Sequence, residues 1–299
     1  MTVRVGVSAS LANFGPALDA LALAISVRNE LEADLAARPE IIVEGEGAGI
    51  LSTGEDNLSY RAAAEVAARA GTPRQFSIRC RNRVPIGRGL GSSAAAIVGG
   101  AVAANALLGE PFDRTELLEI AAGLEGHPDN VAAALFGGAV LTARNGAGWT
   151  WVQLLPVWDA ELVVAIPALA VSTEAARRVL AARVPLADAV ANVGRTGLLI
   201  TAMLTGRAQL LGTAMEDALH QPYRAELVPG MAQVFAAARA VGAFGAALCG
   251  AGPSIVAVCR PDLVDAVGTA MVGAFAEAGQ SAVYLRVSVD PHGATVHET

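Results

Sequence analysis

Residues 83–108 read R-V-P-I-G-R-G-L-G-S-S-A-A-A-I-V-G-G-A-V-A-A-N-A-L-L, and this stretch organises the rest of the chain. Its first glycines alternate with other residues from Gly87 to Gly91, so the backbone can turn where a side chain would clash and successive N–H groups can point into one concavity. Ser92 and Ser93 then open an alanine-rich run. A glycine loop at a helix N-terminus predicts a phosphate site; the alternative is a glycine-rich turn that only caps a buried helix.

Length and composition predict a globular protein with a large core. The chain has 299 residues, which allows one large domain or two of moderate size. Hydrophobic residues make up 54% and aromatic residues 4%, so the core is expected to consist mainly of Ala, Val and Leu. No apolar run reaches the roughly 18 residues that a membrane span needs, and the N-terminus lacks a signal-peptide pattern. We therefore predict a cytoplasmic protein that has no membrane partner.

Charge and cysteine content narrow the class of partner. The formal net charge is −7 and there is no basic run, which argues against nucleic acid and favours a small molecule. Cys80, Cys249 and Cys259 are odd in number and far apart, which favours buried free thiols over a metal or redox site.

The chain contains no lysine, so its 21 basic residues other than histidine are all arginine. Walker A loops and protein kinases both place a lysine on the nucleotide phosphates, and Schiff-base chemistry also needs one. These designs are therefore excluded. If the chain binds a nucleotide, backbone N–H groups, Mg²⁺ and arginine must meet the phosphate charge.

Periodicity places a strand directly before the glycine loop. In Phe76–Arg83 the apolar side chains alternate with arginines, so a strand, a loop and a helix follow one another as a phosphate site requires. Further strands are expected at 3–7, 21–35, 41–44, 140–142, 150–154, 162–166, near 246, and at 255–258 and 282–287. Helices are expected at 58–70, 92–108, 112–124, 173–182, 186–204, 207–219, 230–241 and 262–277, with a short one between Pro128 and Gly137. This order predicts an α+β protein with a domain boundary near residues 150–165.

Three separated stretches have to be considered together: S-A-S-L-A-N-F-G-P-A-L-D at 8–19, P-I-G-R-G-L-G-S-S-A-A-A at 85–96, and C-G-A-G-P-S at 249–254. In this order and at this spacing they resemble the three motifs of the GHMP kinases. The resemblance implies a two-domain GHMP kinase fold, with a ribosomal protein S5 domain 2-like N-terminal domain over 1–155 and a ferredoxin-like α/β sandwich over 156–299. It also implies ATP and Mg²⁺ as cofactors.

The stretches between the motifs are similar to the homoserine branch of that family. They include Asp56-Asn57-Leu58, the E-G-H-P-D-N run at 125–130, Ser172-Thr173 and the H-Q-P-Y-R run at 220–224. This similarity implies transfer of phosphate from ATP to the hydroxyl of L-homoserine, and a homodimer. The alternatives are a GHMP kinase for another small alcohol, and a binding protein of the same fold that has lost catalysis.

The resemblance assigns the nucleotide and metal residues. The nucleotide is expected to contact Asn57, Pro85, Ile86, Gly87, Arg88, Gly89, Leu90, Gly91, Ser92 and Ser93, with Asn57 at the adenine. Ser93 and Glu125 are the expected Mg²⁺ ligands, since a hard cation prefers oxygen ligands and keeps several waters. Glu119 is an alternative metal ligand, and its plainer interpretation is a residue on a solvated helix face.

The resemblance also places Asn13, Asp19, His127, Arg177, Arg224 and Gly252 in the substrate pocket. An amino-acid substrate presents an ammonium group for a carboxylate such as Asp19, and a carboxylate for an arginine fork at Arg177 or Arg224. Without the motifs, Asp19 could be only a turn residue and His127 only a hydrogen-bonding group at a helix start.

The catalytic candidates are Thr173, Arg177 and Asn130. An amide such as Asn130 cannot act as a general base. We therefore predict that the substrate hydroxyl loses its proton to the phosphate being transferred and that Asn130 only orients it.

Overall fold

The computed structural model describes residues 2–298 and has an α+β architecture built on two sheets. The strands are β1 Val3–Ala12, β2 Leu21–Ala36, β3 Glu40–Gly45, β4 Gln75–Asn82, β5 Ala139–Asn145, β6 Gly148–Leu154, β7 Glu161–Pro167, β8 Gly245–Leu248, β9 Ile255–Cys259, β10 Ala282–Val287 and β11 Thr295–Glu298. The α-helices are α1 Leu58–Arg69, α2 Ser92–Leu107, α3 Arg114–Glu125, α4 Asp129–Phe136, α5 Thr173–Arg178, α6 Leu186–Thr205, α7 Leu211–Ala214, α8 Gln221–Arg224, α9 Met231–Ala240 and α10 Val264–Glu277.

The first sheet runs in the order β11-β1-β2-β4-β3, and β5 pairs with both β2 and β6. Among residues 2–298, β3 and β4 are the only pair in this sheet that runs parallel, and the other pairs are antiparallel. Alternate side chains of β1, β2 and β4, such as Val5, Leu31 and Ile78, are buried in one core with helices α1 to α4. Side chains on the opposite face include Arg4, Glu32 and Arg81, which form ion pairs. The alternation of apolar and charged residues along these strands therefore decides which face of the sheet the helices cover.

Helix α2 lies at the centre of this first core and is apolar on all sides. It can pass close to α1 because Gly100 has no side chain: a Cβ there would lie 1.9 Å from the carbonyl oxygen of Ser59. Ser59 belongs to the first turn of α1, which is capped by the Asn57 side chain. The glycine thus fixes where the two helices cross, and with that the position of the N-terminus of α2.

The second sheet is antiparallel, in the order β10-β7-β9-β8. One face packs against α9 and α10, with Val163, Met271 and Phe275 in that core. The other face packs on residues of the first motif, including Leu11 and Phe14, together with α6 and α7. This shared core joins the two sheets, and the three motifs meet beside it.

Three structural expectations differ from what is observed. Strand β1 continues through Ser8–Ala12, where a polar interruption was expected, because these residues pair with β2 after a register shift between Ser8 and Ala9. The helix expected at 207–219 is wrong: only a 3₁₀ turn at Ala208–Leu210 and α7 form there. Asp217 ends the segment by accepting hydrogen bonds from backbone N–H groups, which a continuous helix would use internally.

The third difference is the last strand. Strand β11 was not predicted, and it pairs with β1 in the first sheet although it lies at the end of the chain. The division into 1–155 and 156–299 stays a prediction: its boundary falls between β6 and β7, and β11 returns across it. Within residues 2–298, no helix has the length and apolar character to cross a membrane.

Candidate active site

The three motifs are held together by backbone hydrogen bonds. Ser10 N–H donates to Leu90 O at 3.1 Å, Gly250 N–H donates to Ala12 O at 3.0 Å, and Ser254 N–H donates to Arg88 O at 3.4 Å. Two glycines of the loop lie so close to the neighbouring motifs that a side chain would not fit. A Cβ on Gly89 would lie 2.1 Å from Cys249 O, and one on Gly91 would lie 2.1 Å from Ser10 Oγ. The first and third motifs therefore shape the glycine loop from both sides.

The glycine loop delivers free N–H groups to this junction. Gly87, Gly89 and Gly91 have φ values of 66°, 73° and 69°, a backbone region that favours glycine. Gly91 is the N-cap of α2 and provides no side-chain cap, so the first N–H groups of the helix have no side-chain acceptor at that position. An uncapped helix N-terminus beside a glycine loop favours binding of an anion such as phosphate.

Two adjoining cavities open on this loop. The first has a volume of about 600 Å³ and is lined by all three motifs, with Asp19, Glu125, His127, Asn130, Thr173, Arg177 and Arg224 on its walls. The second, of about 740 Å³, has apolar walls that include Val43, Leu58 and Ile86. Ser92 and Ser93 line both. A polar cavity and an apolar one that share an uncapped helix N-terminus suit the acceptor and the base of a nucleotide.

Asn57 lines the apolar cavity, but its side chain is already engaged. Its Oδ1 accepts from Ser59 N–H at 3.0 Å, and its Nδ2 donates to Ser52 O at 2.8 Å. The predicted contact with adenine therefore depends on the second Nδ2 hydrogen or the second lone pair of Oδ1. Pro85 and Arg88 line neither cavity; both lie in a separate groove, where Arg88 donates to Ala168 O at 2.7 Å.

The residues predicted to hold Mg²⁺ lie together. Ser93 Oγ donates to Glu125 Oε1 at 2.6 Å, so the hydroxyl at the start of α2 touches the carboxylate at the end of α3. Burial raises the pKa of Glu125, while the hydrogen bond from Ser93 and the nearby His127 act in the opposite direction. One carboxylate and one hydroxyl facing a phosphate site match the few protein ligands that Mg²⁺ takes when phosphates and waters supply the rest.

Glu119 lies elsewhere. It is on the exposed side of α3, close enough to the β5–β6 turn that a Cβ on Gly148 would lie 2.6 Å from its Oε1. It lines neither cavity, whereas Glu125, six residues later in the chain, lines the polar one. Of the two candidates, only Glu125 lines the cavity beside the glycine loop.

His127 is held by a buried carboxylate that the sequence analysis did not single out. His127 Nδ1 lies 2.9 Å from Asp129 Oδ1, and the same oxygen accepts from Asn130 N–H at 2.8 Å. Asp129 is only 1% exposed. Burial acts to lower the pKa of His127, but Asp129 and Glu125 outweigh that effect and the pKa is raised. Asp129 directly follows Pro128, where the sequence predicts the start of a helix. A carboxylate at a helix start was the signal in the sequence that could have identified this residue.

Asn130 has its carbonyl oxygen engaged by Ser10. Ser10 Oγ donates to Asn130 Oδ1 at 2.7 Å, which uses one of the two lone pairs of that oxygen and fixes the side chain in the cavity that it lines. Both Nδ2 hydrogens of Asn130 are left to donate to a substrate oxygen.

Asp19 and Arg177 form an ion pair with two parallel hydrogen bonds. Arg177 Nη1 lies 3.0 Å from Asp19 Oδ2, and Nη2 lies 2.8 Å from Oδ1. The turn that presents Asp19 is closed by Asn13, whose Oδ1 accepts from Asp19 N–H at 3.1 Å. The neighbouring Arg178 faces outwards and pairs with Glu174. Both predicted substrate residues are thus on the cavity wall, but in contact with each other.

Arg224 differs from Arg177 because its partners are neutral. The side chain is 3% exposed, and it donates from Nε to Ala176 O at 3.2 Å and from Nη1 to Gly250 O at 2.8 Å. Burial lowers its pKa. Among residues 2–298, no carboxylate forms an ion pair with it, and its Nη2 has no hydrogen-bond partner. Because Arg224 lines the polar cavity, its charge is available to an anion bound there.

The remaining predicted residues either line the cavity or lie behind its wall. Thr173 lines the cavity as the first residue of α5. Asn13 also lines it and donates from Nδ2 to Gly250 O at 3.1 Å. Gly252 does not line it; its φ of 89° and its contact with Gly89 shape the third motif behind the wall.

Known proteins share this fold and these motifs. The family model for the GHMP kinases N terminal domain matches residues 57–138, and the GHMP kinases C terminal model matches residues 199–277. A homoserine kinase of Moorella thermoacetica is 45% identical over 98% of this chain and 99% of its own length. One from Carboxydothermus hydrogenoformans is 44% identical over 98% of this chain and 96% of its own length.

Solved structures agree. A crystal structure of homoserine kinase from Cytophaga hutchinsonii superimposes with a TM-score of 0.89 at 29% identity, covering 99% of this chain and 97% of that one. A mevalonate kinase shares the fold with a TM-score of 0.69 at 13% identity, covering 97% of this chain and 99% of that one.

The chain belongs to the GHMP kinase family and is an ATP-dependent kinase. Within that family it belongs with the homoserine kinases, because it matches curated homoserine kinases along nearly their whole length. The predicted α+β two-domain GHMP fold is confirmed.

Proposed function

We propose that this protein transfers the γ-phosphoryl group of ATP to the hydroxyl of L-homoserine and so forms O-phospho-L-homoserine. The observation that carries the substrate class is the buried Arg224, which lines the polar cavity and has only neutral partners. A buried cation of this kind is stabilised when an anion binds, and a substrate carboxylate can accept a hydrogen bond from its Nη2. Asp19 lines the same cavity, and its carboxylate, although paired with Arg177, has further lone pairs for an ammonium group.

The chain's own residues hold the reacting groups in place. The loop and the N-terminus of α2 bind the phosphates, the apolar cavity holds the base, and Ser93 with Glu125 hold Mg²⁺. Mg²⁺, when bound, neutralises charge that develops on the transferred phosphoryl group. Positioning and charge neutralisation account for most of the catalysis of phosphoryl transfer, so this lysine-free site contains what the reaction needs.

Proton removal does not require a side-chain base in this proposal. Asn130, whose Oδ1 is held by Ser10, donates through Nδ2 to the substrate oxygen, and an amide cannot act as a general base. The hydroxyl proton passes to an oxygen of the phosphoryl group as the new P–O bond forms and the bond to ADP breaks. Asp129 is bonded to His127 and to Asn130 N–H, and it keeps both residues oriented.

Asn130→Asp tests this point. We expect turnover to fall about tenfold or more, because a third carboxylate beside Glu125 and Asp129 repels the phosphates and cannot donate a hydrogen bond. The measurement is kcat for homoserine between pH 6 and pH 9, with Asn130→Ala as the control for simple loss of the donor. A large gain in kcat in the Asp variant would show that a base was missing.

Substrate identity is tested by a coupled ADP-release assay with L-homoserine, mevalonate, shikimate and galactose, with and without Mg²⁺. We expect turnover with homoserine only, and only with Mg²⁺. Preference for another alcohol would overturn the proposed substrate. ATP binding without turnover on any of them would favour the non-catalytic alternative.

The homodimer also stays a proposal, and helix α6 supports it. Its exposed positions are Leu186, Ala187, Val190, Val193, Gly194, Gly197, Leu198, Thr201, Leu204 and Thr205, none of them charged. This set is symmetric about the middle of the helix, where a Cβ on Gly194 or Gly197 would meet nothing within 4 Å. Two copies packed antiparallel would therefore bring the same uncharged positions of each helix together, as the self-complementary face of a two-fold interface does.

Val193→Asp is expected to convert a dimer into a monomer in light-scattering measurements, because Val193 is 75% exposed near the centre of that face. The control is Val283→Asp, a similarly exposed valine at 62% on the edge strand β10. A wild-type monomer, or an unchanged dimer in the Val193 variant, would contradict the proposed interface.

The predictions of a cytoplasmic location and of no nucleic-acid partner remain predictions.

A further inference from the structure

His220 is a fully buried side chain for which the proposed reaction provides no role. It stands directly before α8 and is 0% exposed. Its Nε2 lies 2.6 Å from the carbonyl oxygen of Gly15 in the first motif. Its Nδ1 lies 3.2 Å from Nη1 of Arg224, one turn along the chain. The ring therefore connects the turn of the first motif to the arginine that faces the polar cavity.

These two contacts fix the protonation of the ring. A carbonyl oxygen can only accept a hydrogen bond, and a guanidinium can only donate one. His220 must therefore carry its proton on Nε2 and present a lone pair at Nδ1, which is one of the two neutral tautomers. A protonated ring would have an N–H at Nδ1 that points at the Arg224 cation, so this geometry is available only to the neutral form.

The charged groups around the ring agree with a neutral histidine. Asp217 Oδ2 lies 3.6 Å from Nε2, but its two oxygens already accept hydrogen bonds from Asn192 Nδ2 and from the backbone N–H groups of residues 219, 220 and 221. Burial and the Arg224 cation lower the pKa of His220, and Asp217 and Asp19 act in the opposite direction with less effect.

The consequence concerns Arg224. Its three protein contacts are two carbonyl oxygens and one imidazole nitrogen, all of them neutral acceptors. Buried arginines are usually held by a carboxylate, which would compensate the charge within the protein. A neutral acceptor fixes the direction of the guanidinium without forming an ion pair with it. The ring contacts Arg224 through Nδ1, and its Nε2 lies 3.6 Å from Asp217 Oδ2.

We propose that His220 is a positioning residue for substrate recognition: it orients Arg224 through a neutral acceptor, so that the full charge of the guanidinium meets the substrate carboxylate. This inference rests on the proposed function, because it takes the ligand of Arg224 to be a carboxylate. It adds a residue outside the cavity wall to those that determine specificity.

The test compares two variants with two substrates. His220→Leu removes both hydrogen bonds, whereas His220→Gln offers an amide oxygen to Arg224 and an amide nitrogen to Gly15 O. We expect the Leu variant to raise KM for homoserine about ten- to a hundredfold, the range for losing a hydrogen bond to a charged group, with kcat and KM for ATP within about twofold. The Gln variant should recover most of that loss. With homoserine amide, which has no carboxylate, the Leu variant should differ little from the wild type.

A general loss of structure gives a different pattern. Asn105→Leu is the control: Asn105 is buried and holds Phe112 through two hydrogen bonds, far from the cavities, so it should lower Tm without changing either KM. If His220→Leu raises KM for ATP and homoserine alike, or raises KM equally for homoserine and its amide, the inference is overturned. The same holds if His220→Gln recovers nothing.

The tautomer can be measured without any variant. In ¹⁵N spectra of the wild-type protein, His220 should be neutral with its proton on Nε2 between pH 6 and pH 8. An imidazolium, or a proton on Nδ1, would overturn the contact with Arg224. If the wild type fails to turn over homoserine, the proposed function fails, and this spectrum still decides whether His220 makes the contact.

Discussion

Replacing Arg224 with alanine is expected to lower kcat/KM for homoserine by roughly 10²- to 10³-fold, mostly through KM. Removing one partner of a buried, hydrogen-bonded charge pair costs about 2–5 kcal/mol, and each 1.4 kcal/mol corresponds to about a factor of ten. The effect should be large because no other cation replaces it: Arg177 is bound to Asp19 through both of its terminal nitrogens. Steady-state kinetics with homoserine and with ATP varied separately would measure it.

The control for Arg224→Ala is Arg224→Lys, which keeps the charge but not the planar fork. Lysine should recover only part of the loss, because a single ammonium cannot contact Ala176 O, Gly250 O and the substrate together. With homoserine amide, the alanine and wild-type proteins should differ much less. An Arg224→Ala protein that is folded and has an unchanged KM for homoserine would remove the main support for an anionic substrate.

Replacing Glu125 with glutamine is expected to lower kcat by roughly 10²-fold or more and to raise the Mg²⁺ concentration needed for half-maximal activity. The amide has nearly the same shape, but it removes the charge that a hard cation prefers. It can still accept from Ser93 Oγ, which Glu125 contacts at 2.6 Å, so the fold should be retained. Kinetics at several Mg²⁺ concentrations, with Tm as a check on folding, would measure both effects.

Glu119→Gln provides a matched control because it makes the same chemical change on the same helix. Glu119 is exposed beside Gly148 and lines neither cavity, so its variant should keep kcat and the Mg²⁺ requirement within about twofold of the wild type. Equal losses in the two variants, or a loss only at Glu119, would show that the metal residue has been assigned to the wrong turn of α3.

Local features of the sequence were sufficient for much of the fold. The strand at Phe76, the glycine loop and the start of α2 at Ser92 were all predicted, because alternation, positive-φ glycines and helix starts depend on near neighbours. Prediction failed at β11 because a distant contact decides: this strand pairs with the edge of β1. The failure at 207–219 has a local cause, since Asp217 accepts hydrogen bonds from backbone N–H groups two to four residues further on.

The sequence by itself determined which kinds of group this protein could use. Without lysine, phosphate binding was left to backbone N–H groups, Mg²⁺ and arginine, and the motifs indicated where these lie. Only the tertiary structure decided how the charges are paired. Asp19 and Arg177 are 158 residues apart and form an ion pair, while Arg224 is left with neutral partners and His220 behind it. Pairing depends on which side chains folding brings within about 3 Å, and spacing along the chain does not specify that distance.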